Sequence, residues 1–294
     1  MAIPEKTDLH IHTTVSDGTD SPQEIVGLVS DAGIGLFSVT DHDSVKASVI
    51  IRGLLKKGDP AFLTGAEFSC RDDKGKYHIL GYGYDPDAEA MRAFAGKAHG
   101  MRMRKVERRL SALEAEFGVS FPREEVDRLL KMDNPGKPHI GNLMVKYGYS
   151  ESKDSAIKDR LNRLHVKSEY LRPDETIEAI RESGGIPVLA HPAYGSGDQL
   201  ILGDELEERV EHLINFGLEG LEACYSGFPE KLRRSTIALA DRHSLYVTAG
   251  SDYHGSNKLV VLGDTGLDEE PALPEGFRRF LEAVRDKIMT GADE

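Results

Sequence analysis

The sequence predicts an α/β protein built on a parallel sheet, barrel-shaped or doubly wound, and broken once by an all-helical insertion. Three observations predict it. Short strand-like runs alternate with helical patterns over residues 7–84 and again over 172–289. These runs are close to continuously apolar, as strands covered on both faces are. Between about Pro86 and Tyr170 the chain holds long charged-amphipathic patterns and no convincing strand.

The elements follow in order. TDLHIHT (7–13) reads as the first strand, and Ser21-Pro22 as an N-cap with proline at the first helical position. GLFSVTD (35–41) is an apolar run of strand length, after which Asp43-Ser44 opens a helix that ends before Gly58. AFLTGAEFSC (61–70) and KYHILGYGY (76–84) are two further strands, separated by the turn Asp72-Asp73-Lys74-Gly75. The insertion holds MRMRKVERRLSALEAEF (101–117), EEVDRLLKM (124–132), HIGNLMVKYG (139–148) and SAIKDRLNRL (155–164). Alternation resumes with a helix near Pro173, the strand GIPVLAHP (185–192), a helix near 204–216 and the strand GLEGLEACY (217–225). A helix over 229–243, the strand SLYVTAGSD (244–252) and a last helix over 274–289 complete it.

At 294 residues the chain is one large α/β domain or two modest ones, with ample volume for a core. No stretch approaches the ~20 consecutive apolar residues of a membrane span. The start, MAIPEKTDLHIH, shows no basic region followed by an apolar one, so no export signal is read there. Cys70 and Cys224 stand far apart without CxxC spacing, which indicates neither a disulfide framework nor a thiolate zinc site and makes the cytoplasm the expected location. The net charge of -13 argues against a protein that grips long nucleic acid by its phosphates. Residues 91–170 nevertheless carry a balance of +6 on a body of -19. That basic segment is either a solvated helical face or a cap that attracts a small anion.

Polar residues gather at the ends of the strands. His10 and His12 stand at i and i+2, so both imidazoles point to one face of the first strand, the way a strand presents two metal ligands. Asp17 follows in a Ser16-Asp17-Gly18 turn, the second strand ends in Asp41-His42-Asp43, and the next two carry Glu67 and His78. His191 ends the strand before Pro192, and Ser251-Asp252-Tyr253-His254 ends the last. All but one of the strands contribute. Ends of parallel strands converge where such enzymes do chemistry. A His, Asp and Glu cluster there suits Zn, Mn or Fe. A lone buried histidine or a capping aspartate is commoner than a ligand, but six histidines and three carboxylates at strand ends are not a coincidence. His99, His165, His212 and His243 are assigned to helix faces and termini without a role.

In this order and spacing, DLHIHTTVSDGT, VTDHD, the Glu67 and His78 strands, AHP and GSDYHG resemble the PHP (polymerase and histidinol phosphatase) family. The resemblance covers residues 7–86 and about 172–260, with a helical interruption like that of the stand-alone phosphoesterase branch. It implies a distorted (β/α)7 TIM-like barrel over 1–86 and 171–294, with 87–170 as an all-helical lid. It also implies nine ligands for two to three divalent ions, Mn, Zn or Fe. His10, His12, Glu67 and Asp252 match the first metal site. Glu67, His78 and His191 match the second, with Glu67 bridging, and Asp17, His42 and His254 the third. Glu67, His191 and Asp252 are the residues on which turnover is expected to depend directly.

Phosphate-ester hydrolysis fits these residues without the name. Clustered divalent ions lower the pKa of a shared water and neutralise phosphoryl oxygens, so no Ser or Cys nucleophile is needed. Neither a GxSxG elbow nor a GxxxxGK[ST] loop is present. Asp41 and Asp43 flank His42 as orienting groups, helix capping being the favoured role for Asp43. For a second anion the candidates are Arg102, Arg104, Lys137 and His139, the last two in Pro135-Gly136-Lys137-Pro138-His139. Related stand-alone members more often read Gly-Arg-Pro-His there; the lysine removes a bidentate fork. The leading expectation is a metal-dependent phosphoesterase for a small phosphorylated metabolite: a nucleotide bisphosphate, a cyclic or sugar phosphate, or a short oligonucleotide end. Histidinol phosphate is disfavoured by the interruption. The alternatives are a 3'-5' or 5'-3' exonuclease, or a metal-stabilised binding module without turnover. Neither a membrane nor an obligate protein partner is expected.

Overall fold

A computed structural model describes residues 6–166, 169–195 and 200–291; the polar lead at residues 1–5 lies outside them. The first strand, β1 (Thr7–Ile11), leads to α1 (Pro22–Asp31), β2 (Leu36–Val39), α2 (Lys46–Arg52) and β3 (Ala61–Phe62). Then come β4 (Gly65–Arg71) and β5 (Lys76–Tyr82). Ser21 opens α1 as read from the sequence: its hydroxyl accepts the Glu24 N–H at 3.3 Å, while the Glu24 carboxylate accepts the Ser21 N–H at 2.7 Å.

The helical stretch consists of α3 (Glu89–Phe117), α4 (Arg123–Leu130), α5 (Lys137–Lys146) and α6 (Lys153–Ala156), which runs into a π-helical turn over Ile157–Leu161. The alternating part then continues with α7 (Pro173–Glu182), β6 (Ile186–Leu189), α8 (Gly203–Ile214) and β7 (Gly220–Tyr225). It ends with α9 (Glu230–Arg242), β8 (Tyr246–Gly250) and α10 (Glu275–Ala283).

The strands form two sheets, in the orders β1-β2-β3 and β4-β5-β6-β7-β8. All pairs are parallel except those of β5, which runs antiparallel to both β4 and β6. The expected uniform parallel sheet fails at β5 for a local reason. Asp72 accepts the N–H groups of Lys74 and Gly75 at 2.9 and 3.1 Å, and so tight a turn can only join antiparallel neighbours. The run 61–70, read as one strand, is also two, β3 and β4, paired with different partners.

Among the described residues no continuous ladder closes these strands into a barrel. The sheets meet through single bridges, Ile11 to Tyr253 and His42 to Glu67. At the first, the backbones come so close that a Cβ on Gly250 would lie 2.2 Å from the His10 Cβ. Both bridges fall among the proposed ligands, so the sheet junctions themselves bring those residues together.

Three main apolar cores result. The largest lies under the five-stranded sheet and a second under the three-stranded one. A third, built on Val106, Leu113, Leu129, Ile140 and Met144, belongs to the helical stretch. Helix α3 spans two of them: Met91, Phe94 and Ala98 pack into the largest core, and Val106 and Leu113 into the helical one. No described helix is long and apolar enough to cross a membrane.

Candidate metal centre and the cavities beside it

Glu67 on β4 lies at the centre of the polar cluster, and both of its oxygens are used. Oε2 lies 2.9 Å from His42 Nδ1, 3.3 Å from His12 Nε2 and 3.5 Å from His10 Nε2. Oε1 lies 2.9 Å from His78 Nδ1 and 3.2 Å from His191 Nε2. Asp252 Oδ1 stands 3.3 to 3.5 Å from nitrogens of His12, His254 and His10. Asp17 faces His254 at 3.4 Å, His12 at 3.6 Å and, through its other oxygen, His42 at 3.8 Å. All nine residues singled out from the sequence therefore converge.

Several of their contacts are spaced like donors that share an ion. His10 Nε2 and His12 Nε2 face each other at 3.1 Å. His42 Nδ1 and His78 Nδ1, although 2.9 Å from carboxylate oxygens, are not directed for hydrogen bonding and have no partner. Donors that share one ion at bond lengths of about 2.0 to 2.2 Å come to rest roughly 3.2 to 3.6 Å apart. Three overlapping groups offer ligand atoms that all lie within 4.8 Å of one another: His10, His12 and Glu67; His42, Glu67 and His78; and His12, Asp17, His42 and His254. The chemistry of the set, imidazole with carboxylate and no thiolate, fits divalent Zn, Mn or Fe.

Charge in the cluster is arranged accordingly. Burial would raise the pKa values of Glu67, Asp17 and Asp252, but the histidines around them hold all three well below the carboxylate range. Burial works against a charged His10, yet Glu222, Asp252 and Glu67 together raise its pKa well above the ordinary value. His42, against the same opposing burial, is pushed up to about 9 by Glu67 and Asp17, and His254 is raised by Asp17. His78 is lowered, burial being the largest cause. Without ions the cluster holds protons that ligation displaces.

The supporting residues are equally specific. Asp41 accepts from the Thr13 and Ser16 N–H groups at 2.9 and 3.0 Å and from both hydroxyls, stapling the loop that carries Asp17. Asp43 does not cap α2, whose N-cap is Val45 without a side-chain bond. Instead it accepts the Ser69 N–H at 2.9 Å and pairs with Arg102, whose Nε lies at 3.0 Å. Asp43, His191 and Asp252 take positive φ values of 51°, 29° and 58°. Such left-handed backbone in non-glycine residues persists only where its surroundings enforce it.

Two cavities flank the cluster and share Asp17, His42, His78 and Pro138 in their walls. One, of about 170 Å³, runs from these residues to Arg102, Lys105, Arg109 and Lys137, with Tyr170 beside them. The other, of about 560 Å³, opens over Glu67, His191 and Asp252 toward Tyr194, Tyr225, Lys153 and Lys258. Of the four anion candidates from the sequence, Arg102 and Lys137 line the first cavity. Arg104 does not line it but, with Arg108, pairs with Glu169, which does. The His139 ring accepts the Gly136 N–H at 3.0 Å, closing the start of α5. Lys105 and Arg109 were missed. They stand three and seven residues after Arg102, one face of α3, so the helical period was the signal. Burial, Arg109 and Arg102 bring the Lys105 ammonium down to about 7, and its Nζ lies 4.0 Å from the centre of the Tyr170 ring. His99, His165, His212 and His243 all lie outside these cavities.

No family model matches the chain. It is 27% identical over 263 residues to the 5'-3' exoribonuclease Rnm of Escherichia coli, covering 87% of each chain. It is 25% identical over 293 residues to the 3',5'-nucleoside bisphosphate phosphatase of Chromobacterium violaceum, covering 97% of this chain and 99% of that one. Among solved structures it is similar to one from Bifidobacterium adolescentis assigned as a metal-dependent phosphoesterase, with a TM-score of 0.76, 28% identity, and 98% and 96% of the two chains covered. The chain is a metal-dependent phosphoesterase similar to those of the PHP type. These matches run almost end to end and therefore extend through the helical stretch.

Proposed function

We propose that this PHP phosphoesterase hydrolyses a small substrate carrying two anionic groups, one cleaved at the Glu67 cluster and the other held by α3 and α5. The observation that carries this reading is the first cavity, in which Asp17, His42 and His78 share walls with Arg102, Lys105, Arg109 and Lys137. Two to three divalent ions, Mn, Zn or Fe, would be held by His10, His12, Asp17, His42, Glu67, His78, His191, Asp252 and His254. When bound, they supply positive charge to the phosphoryl oxygens and acidify water. The protein's own groups do the rest. Lys105 and Arg109, partly desolvated, bind the remote anion more strongly than exposed side chains would. Arg102, held by Asp43, fixes the distance between that anion and the cluster. Glu67, His191 and Asp252, opening on the second cavity, are the residues whose loss would abolish turnover.

In the same reading the strands are a distorted (β/α)7 barrel interrupted by sheet junctions, with residues 87–170 as the lid. Buried Cys70 and Cys224 fit a reducing, cytoplasmic setting. Exonuclease action is the second reading, favoured by the likeness to the E. coli exoribonuclease and by the basic segment.

Kinetics on three substrates separates these readings: a nucleoside bisphosphate, a simple aryl phosphate and a 5'-phosphorylated RNA oligonucleotide. The first reading expects Lys105→Ala and Lys137→Ala to lower kcat/KM for the bisphosphate about ten- to a hundredfold, as a lost charge-assisted contact of ~1.5 to 3 kcal/mol requires, with the aryl phosphate barely changed. Equal, small effects on all three would contradict it.

A further inference from the structure

Strand β7 presents none of the nine ligands, yet it carries a carboxylate aimed at two of them. Glu222 is fully buried. Its Oε1 lies 2.8 Å from His10 Nδ1, and its Oε2 accepts the His191 N–H at 2.8 Å. Neither contact belongs to the sheet ladder, and the side chain fits only because residue 250 is glycine: a Cβ there would lie 2.4 Å from Glu222 Oε1.

We propose that Glu222 is the positioning residue of the metal centre, setting the ring orientation of His10 and the backbone of His191 together. The inference rests on the metal-centre reading above. Each Glu222 oxygen is matched to a donor. For His10 the partner on Nδ1 requires the proton there, which leaves the Nε2 lone pair facing His12 and Glu67, where an ion is to sit. For His191 the bonded N–H is that of a residue at φ 29°, and the bond helps to hold that unfavourable backbone so that Nε2 reaches Glu67 at 3.2 Å. One carboxylate thereby aligns a ligand of the first group with a ligand across the Glu67 bridge.

The chemistry makes Glu222→Gln a sharp probe. Glutamine has the same shape but offers one acceptor and one donor where two donors must be met. Turned one way, its amide faces the His191 N–H, donor against donor. Turned the other, it faces His10 Nδ1 and is satisfied only if the His10 proton moves to Nε2, which blocks the lone pair meant for the ion.

The experiment starts from zinc-loaded protein. Zinc retention is measured against rising concentrations of a chelator in the wild type, Glu222→Gln and Glu222→Asp, and the His10 ring is followed by nitrogen NMR of histidine-labelled protein. In the wild type His10 is expected to carry its proton on Nδ1. In Glu222→Gln zinc should be held about 10- to 100-fold more weakly, with the Nδ1 proton signal lost, and Glu222→Asp, which keeps both acceptors, should fall between. Wild-type zinc affinity and an unchanged His10 signal in Glu222→Gln would overturn the proposal. Should that variant not fold, the wild-type spectrum decides, since a proton on Nε2 would equally overturn it. A wild type that takes up no zinc would overturn the metal-centre reading as well.

Discussion

Glu67 sets one carboxylate against five imidazoles, and both oxygens are committed. Glu67→Gln keeps the shape but removes the charge shared between two groups of ligands. Turnover is expected to fall more than about a hundredfold and at least one ion to be lost, as measured by steady-state rates and elemental analysis; a near wild-type rate would exclude Glu67 from the centre. A second prediction at this scale concerns pH. His10, His42 and His254 have pKa values raised in the folded, metal-free protein, so the stability they contribute is present below the ordinary 6.5 and lost as pH rises through the folded value, about 9 for His42. Asp17, Glu67 and Asp252 are depressed, so their contribution is lost on the acid side. The metal-free protein should therefore lose melting temperature between about pH 6.5 and 9, while the zinc-loaded protein should not. Melting curves across that range check this, and a metal-free protein whose melting temperature rises there would contradict the charge arrangement.

Helix α3 shows what an element adds to its residues. Its basic run, MRMRKVERRL, reads in the sequence as a patch of charge; folded, it is two faces with different partners. Arg102, Lys105 and Arg109 line the cavity, whereas the more exposed Arg104 and Arg108 pair with Glu169 at its edge. Arg104→Ala is thus expected to leave kcat/KM within about twofold of wild type, since exposed ion pairs contribute little. Lys105→Ala is expected to lower it for a doubly anionic substrate only. The paired measurement distinguishes a binding face from a solvated one, and a large effect of Arg104→Ala would reverse the assignment. The nine ligand candidates were legible because strand periodicity and strand ends carry them. Arg102 and Lys137 were legible in the sequence, Lys105 and Arg109 only through the helical period counted from Arg102, and Arg102 and Arg104, two apart, cannot share a face. Glu222 was not legible at all. It lies inside an apolar strand, and its partners are distant in sequence: His10 reaches it across the junction of β8 with β1, and the His191 backbone from the end of the neighbouring strand β6. The reversal of β5 was written in the Asp72–Gly75 turn, whose shortness forbids a parallel return.

At the scale of the whole molecule, the acidic body and the basic helical stretch divide the work. The sheets deliver carboxylates and imidazoles to their junctions, where single bridges replace continuous pairing and leave side chains facing inward. The helical stretch has its own core, and α3 fastens it to the larger one. Arg102 to Asp43, Lys46 to Asp133 and Lys153 to Asn257 tie it to the sheet-bearing part of the chain. The central claim is that the converged His, Asp and Glu side chains form a centre for more than one divalent ion and that hydrolysis depends on it. Elemental analysis of protein purified without chelator, followed by phosphoesterase assay before and after adding Mn, tests it most directly. At least two equivalents of divalent metal per chain are expected, with activity that disappears on chelation and returns with Mn. Less than one equivalent, with no activity on adding Mn, would contradict it.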